Sequence, residues 1–179
     1  MVRWQAVAEQ LVRERQGALV AYAYLLTRNR STAEDLVQDA LVRTFTRRAQ
    51  FEHVYQAEGY VRKAIASGFL DGQRARGRRT RRERTAAHAE AVSSHAELVE
   101  ADADLAAAMA ALPPRERACV ALRHLGDFSV AETAEALGLS DGAVKRYTHD
   151  GTRALATALR VGPEANDLMQ ITVTTEAER

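Results

Sequence analysis

The chain holds a single cysteine, Cys119, among 179 residues. An internal disulfide is therefore excluded, and one thiol cannot build the clusters that hold zinc or iron–sulfur centres. Proline is confined to three positions and aromatic residues make up 6% of the chain, while alanine recurs throughout, a balance that favours helices packed on helices over a sheet. No run approaches the roughly 18 consecutive apolar residues of a membrane span. The start of the chain also lacks the basic stretch and short apolar core of a signal peptide, so a cytoplasmic protein without a membrane span is expected. Patterns of catalysis are missing too: there is no Walker-type glycine loop, no HExxH and no Gly-x-Ser-x-Gly. The five histidines, His53, His88, His95, His124 and His149, are scattered without ligand spacing. We expect neither enzyme activity nor a metal or other cofactor.

What is present begins with charge. A formal net charge of +1 conceals two segments of opposite sign. Between Tyr60 and Arg84 nine basic residues face two acidic ones, whereas Thr85 to Ala110 holds five acids and neither lysine nor arginine. A polyanion would meet the first segment and avoid the second.

The apolar residues from Trp4 to Leu26 recur at three- and four-residue steps and predict a first amphipathic helix. Ser31-Thr32-Ala33-Glu34 reads as a capping box opening a second helix to about Arg48, with Leu36, Val37, Ala40, Leu41 and Phe45 inward. Gln50 to Gly59 breaks the period and reads as a loop. A third helix, beginning near Ala57 to Tyr60, turns Val61, Ile65, Phe69 and Leu70 inward and merges into the arginine run. The period then fades, as in a linker that has no face to bury. Leu98 to Leu112 is again helical, and Pro113-Pro114 stops it and starts a helix carrying Ala118 to Leu125, for which Gly126 offers a stop. Cys119, among apolar neighbours, reads as a small core residue.

Ser129-Val130-Ala131-Glu132 forms a further capping box before a short helix to Leu137. Gly138-Leu139-Ser140 makes a tight turn, and Ser140 caps a last helix from Asp141 to about Arg160. Ala134 at the crossing, Gly138 at the turn and Val144 between the helices carry the packing logic of a helix-turn-helix. In such a motif the second helix enters the major groove, so Ser140, Asp141, Gly142, Ala143, Lys145, Arg146 and His149 are candidate duplex contacts, with Lys145 and Arg146 foremost. The stripe of Asp35, Gln38 and Asp39 on the second helix is, by itself, an ordinary solvated face.

Taken together, Ala23-Tyr24-Leu25-Leu26, Ala33-Glu34-Asp35-Leu36-Val37-Gln38-Asp39-Ala40, Leu112-Pro113-Pro114-Arg115-Glu116-Arg117 and Ser129-Val130-Ala131-Glu132-Thr133-Ala134 resemble the extracytoplasmic-function (ECF) sigma factors, in particular actinobacterial members, over residues 7–160. The resemblance implies an all-α chain of two small helical domains joined by a flexible linker: region 2 over 1–80, a linker over 81–100, region 4 over 101–161 and a tail over 162–179. It gives Asp35, Gln38, Asp39 and Arg43 to the clamp helices of the polymerase beta-prime subunit, with the beta flap as a further polymerase contact. It gives Phe51, Tyr60, Arg62, Lys63, Ser67, Arg74 and Arg76 to the melted minus-ten strand, where stacking and cations suit single-stranded DNA. The last helix would read the minus-thirty-five element, the linker would thread towards the RNA exit path, and an anti-sigma factor is a further candidate partner.

Ser67 departs from the asparagine common at its position, and Tyr147 and Asp150 stand where basic residues are frequent. Two other readings stay open on the residues alone: a stand-alone helix-turn-helix regulator that dimerises on two half-sites, and a helical adaptor that has lost promoter use.

Overall fold

The computed structural model describes residues 3–46, 51–83 and 100–159, and every regular element among them is helical. Helix α1 spans Arg3–Thr27, α2 Arg30–Thr46, α3 Val54–Glu83, α4 Glu100–Ala111, α5 Pro114–Val120, α6 Val130–Leu137 and α7 Asp141–Ala158. Most of the linker expected at 81–100 and all of the tail at 162–179 lie outside the described residues.

Helices α1, α2 and α3 pack mutually, as their apolar stripes require. Leu11, Leu19 and Leu26 from α1, Val37 from α2 and Val61 and Ile65 from α3 are fully buried at the shared centre. Val12, expected inward, instead faces outward with 40% of its surface exposed, because the buried stripe of α1 passes through Leu11 and Leu19.

Two helix starts differ from the sequence expectation. Helix α2 is capped by Asn29, whose Oδ1 accepts from the Thr32 N–H at 2.8 Å, two residues ahead of the Ser31 box. Arg28 in the left-handed region (φ 55°) ends α1 and sets that cap. Glu34 then pairs with Arg30 at 2.9 Å. The segment read as a loop to Gly59 is helical from Val54 onward. His53 substitutes for a serine or aspartate cap: its Nδ1 accepts from the Gln56 N–H at 3.2 Å, while the Gln56 side chain accepts from the Glu52 N–H at 2.9 Å. A reciprocal cap built from histidine and glutamine falls outside the usual signature.

The second module, α4 to α7, does not swing free of the first. One continuous buried cluster runs from Val7 and Leu11 through Phe69 and Leu70 to Met109, Leu122 and Val144. Arg117 links the two modules: its Nη1 donates to the Leu26 carbonyl at 2.6 Å, its Nη2 to the carbonyls of Ala110 and Leu112, and its guanidinium lies 5.5 Å from the Phe69 ring. Gly126 ends the helix that follows Pro113-Pro114, as expected. Its last turn, Ala121–Leu125, is wound as a π-turn, with the Gly126 N–H reaching the Ala121 carbonyl at 2.9 Å.

Candidate nucleic-acid interface

The helix-turn-helix is built as its residues require. Ser129 caps α6 with both halves of the capping box in place: its Oγ accepts from the Glu132 N–H, and Glu132 reaches back to the Ser129 N–H. Gly138 closes the helix at φ 63°, the left-handed conformation that a glycine adopts without a Cβ penalty. Ser140 caps α7 through the Ala143 N–H at 3.3 Å, so its side chain is engaged with its own helix. Val144 is fully buried beneath the turn, with Ala134 at the crossing. With that side of α7 committed to the core, Asp141, Gly142, Lys145, Arg146 and His149 are left exposed on the other and Ala143 half-buried.

Three features of this module were not legible from spacing. Gly151 lies against α5, where an added Cβ would meet Val120 Cγ2 at 2.7 Å. Tyr147 is half-buried: its hydroxyl accepts from Arg115 at 3.2 Å and its ring lies 4.9 Å from the Arg146 guanidinium, and these two cations hold the phenol below its ordinary range. Asp150 faces Glu116, whose carboxyl burial pushes up, with the neighbouring Asp150 charge adding to it.

On α2, Asp35, Gln38, Asp39 and Arg43 are all exposed. Val42 joins them at 65% exposure, an apolar residue outside the buried stripe of Ala33, Val37, Ala40 and Thr44. That offset from the stripe was a signal available in the sequence.

The residues assigned to the melted strand separate into three groups. Tyr60 is 53% exposed and ends a chain of rings running Trp4, Phe45, Phe51, Tyr60. Phe51, by contrast, is 3% exposed and offers no ring face to a base; edge-on to Phe45 at 5.4 Å, it props Tyr60 from behind. Ser67 is half-buried two turns further along α3, and Arg74 and Arg76 are exposed, Arg74 paired with Asp71 at 3.1 Å.

Arg62 and Lys63 are engaged within the chain. Arg62 lies 2.7 Å from Glu58, donates to the Leu125 carbonyl at 2.7 Å and covers the Tyr22 ring at 5.2 Å. Lys63 pairs with Glu132 at 3.0 Å and sits 4.7 Å from the Phe128 ring. Glu58 itself went unnoticed in the sequence: a buried carboxylate bonded by Arg15 at 2.8 Å and by Arg62 one turn on. Burial pushes its carboxyl up, and the two guanidiniums more than offset that, holding it below the ordinary range.

Comparison with known proteins matches residues 11–79 to sigma-70 region 2 and residues 102–155 to sigma-70 region 4. The chain is 37% identical over 161 residues to the RNA polymerase sigma-E factor of Streptomyces avermitilis, covering 89% of this chain and 87% of that protein. It is 33% identical over 153 residues to the ECF RNA polymerase sigma factor SigE of Mycolicibacterium smegmatis, covering 82% of this chain and 59% of that one. The fold matches the sigma factor RpoE of Bartonella quintana, solved in complex with the anti-sigma factor NepR, with a TM-score of 0.66 and 24% identity over 86% of this chain and 96% of that one. The chain thus belongs to the ECF group of RNA polymerase sigma factors, the alternative sigma factors that direct transcription initiation.

Proposed function

We propose that three surfaces of this chain divide the work of initiation, with core polymerase supplying all the chemistry. The α2 face of Asp35, Gln38, Asp39, Val42 and Arg43 docks on the beta-prime clamp helices. Tyr60, Lys63, Ser67, Arg74 and Arg76 on α3, with Arg62 behind them, take the melted minus-ten strand by stacking and cationic contact, and Phe51 supports Tyr60. The N-terminal half of α7 reads the minus-thirty-five duplex through Lys145, Arg146 and His149, while region 4 also meets the beta flap. This work takes place in the cytoplasm, where polymerase acts. An anti-sigma factor is a partner of the same kind as the one bound to the Bartonella relative.

The observation that carries this reading is the division of α7. Val144, Thr148 and Gly151 are buried against the module, and the cationic side is left open at the end where a recognition helix meets base edges. Run-off transcription with core polymerase on genomic templates tests it. A transcript from a defined start that requires both components is expected. Absence of any transcript, together with tight polymerase-independent binding to a palindrome, would replace it with a stand-alone dimeric regulator.

A further inference from the structure

We propose that Trp4, at the far end of the ring chain from Tyr60, is a positioning residue for the minus-ten strand: it braces Phe45 and Phe51 so that the Tyr60 ring is held in place to stack on a base. This inference deepens the reading of Tyr60 as a strand contact and rests on it.

Aromatic residues are scarce in this chain, and the centre of its first three helices does without them: Leu11, Leu19, Leu26, Val37, Val61 and Ile65 fill it. Four rings are nevertheless strung together from α1, α2, the segment before α3 and α3 itself. Trp4 lies 6.5 Å from Phe45, Phe45 lies 5.4 Å from Phe51, and Phe51 lies 5.4 Å from Tyr60. Trp4 and Phe45 are half-buried, Phe51 is buried and Tyr60 is open to solvent, so the chain leads outward to a single free ring. Tilted and edge-on rings at these spacings attract in a defined geometry, with Phe51 and Phe45 at 78°. A base that stacks on Tyr60 then meets a ring with little rotamer freedom left to lose.

The brace is separable from the core. Trp4 stands in the first turn of α1, ahead of Val7 and Leu11, where the buried stripe of that helix begins. Changes at Trp4 therefore reach Tyr60 through Phe45 and Phe51, while the centre of the bundle keeps its own aliphatic packing. On α3 the Lys63 ammonium lies 5.7 Å from the Tyr60 ring, which sets a cation for the backbone beside the ring for the base.

The test is run-off transcription by the full chain with core polymerase, from a duplex template and from the same template with its minus-ten element premelted by mismatches. Tyr60→Ala is expected to lower the duplex transcript about fivefold or more, the loss of one base stack. Trp4→Leu, which keeps an apolar side chain but no ring, should lower it about two- to tenfold, the range of one aromatic pair, and Phe45→Leu should act alike. Trp4→Phe should recover most of that loss. On the premelted template, where no base pair competes with capture, the losses should be smaller. Combining Trp4→Leu with Tyr60→Ala should give no less transcript than Tyr60→Ala alone, because the brace acts through that ring. If Trp4→Leu and Phe45→Leu transcribe as the parent does while Tyr60→Ala is impaired, the rings only pack and the brace is refuted. Equal losses on both templates, or losses that multiply in the double variant, place the effect of Trp4 elsewhere and refute it as well. If Tyr60→Ala is without effect on either template, the assignment of Tyr60 to the strand fails instead, and the brace falls with it.

Discussion

The guanidinium of Arg117 on α5 joins the end of α1 to the second module by donating to the Leu26 carbonyl at 2.6 Å. The same side chain serves the Ala110 and Leu112 carbonyls at the end of α4. One cation thereby satisfies carbonyls from two helix ends that have no helical partners of their own. In the sequence this arginine is only the last residue of Leu112-Pro113-Pro114-Arg115-Glu116-Arg117. In the structure it is where region 4 is fastened to region 2.

Arg117→Met is expected to destabilise the chain by about 2–4 kcal/mol, because buried carbonyls lose their donor and methionine returns only the packing of the stem. Urea unfolding followed by helical circular dichroism measures it. Arg117→Lys should recover only part of the loss, since one ammonium cannot span the same fork of acceptors.

Glycines 17 and 151 should respond oppositely to alanine. Gly17 has open space where its Cβ would be, so Gly17→Ala should stabilise by about 0.5–1 kcal/mol through helix propensity. Gly151→Ala gains the same propensity but pushes Val120 away from α7, and a larger residue there has no room. Gly151→Val is expected to cost about 2 kcal/mol or more. Equal thermal midpoints for Gly17→Ala and Gly151→Val would contradict the close α5–α7 approach.

Acid should loosen the chain through two carboxylates. Glu58 and Glu132 are both held below the ordinary value of 4.5, Glu58 by Arg15 and Arg62 against the push of burial, Glu132 by the Ser129 backbone N–H and then by Lys63. A carboxylate with a depressed folded value contributes stability that is fully present above the unfolded value and is lost as pH falls through the folded one. Glu116, pushed up by burial and by Asp150, works in the opposite sense. His124, held below its ordinary value of 6.5 by burial and by Arg123, starts a decline in urea midpoints from about pH 6.5 downward. The two carboxylates should steepen it below about pH 5, and less so in Glu58→Gln. A decline of identical steepness in that variant would remove Glu58 from the account.

Replacing Lys145 and Arg146 with alanine should abolish promoter selectivity in run-off transcription at about 1–3 kcal/mol for each good base contact, without lowering the thermal midpoint, because both side chains are exposed. Ser140→Ala, in contrast, should lower stability by about 1 kcal/mol through loss of the α7 cap. A helical adaptor without promoter use would show unchanged transcription with the double alanine variant.

Local chemistry was enough to specify the helices and the helix-turn-helix. Alternation at the helical period, the Ser129 to Glu132 box, Gly138 and the Ser140 cap each act over a few residues, and each is found in the structure as its residue types dictate. Starts set by Asn29 after a left-handed Arg28 and by the less common His53–Gln56 pair escaped the pattern because several residue types satisfy the same N–H groups. Exposure of the α7 face was equally legible, since it follows from burying Val144 on the opposite side.

Tertiary structure alone decided the partners of the charged residues. Arg62 and Lys63 read as cations awaiting a polyanion, yet besides the local Glu58 pair of Arg62 they reach oxygens of Leu125 and Glu132, more than sixty positions away. Glu58 carries no signal in the sequence, and it is buried between guanidiniums of two helices. Phe51 read as a loop aromatic and lies within the core. Helical periodicity fixes which side of a helix turns inward, because that depends on neighbours three and four residues off. Which oxygen a long cationic side chain reaches depends on how whole helices cross, and no short stretch of sequence encodes that distance.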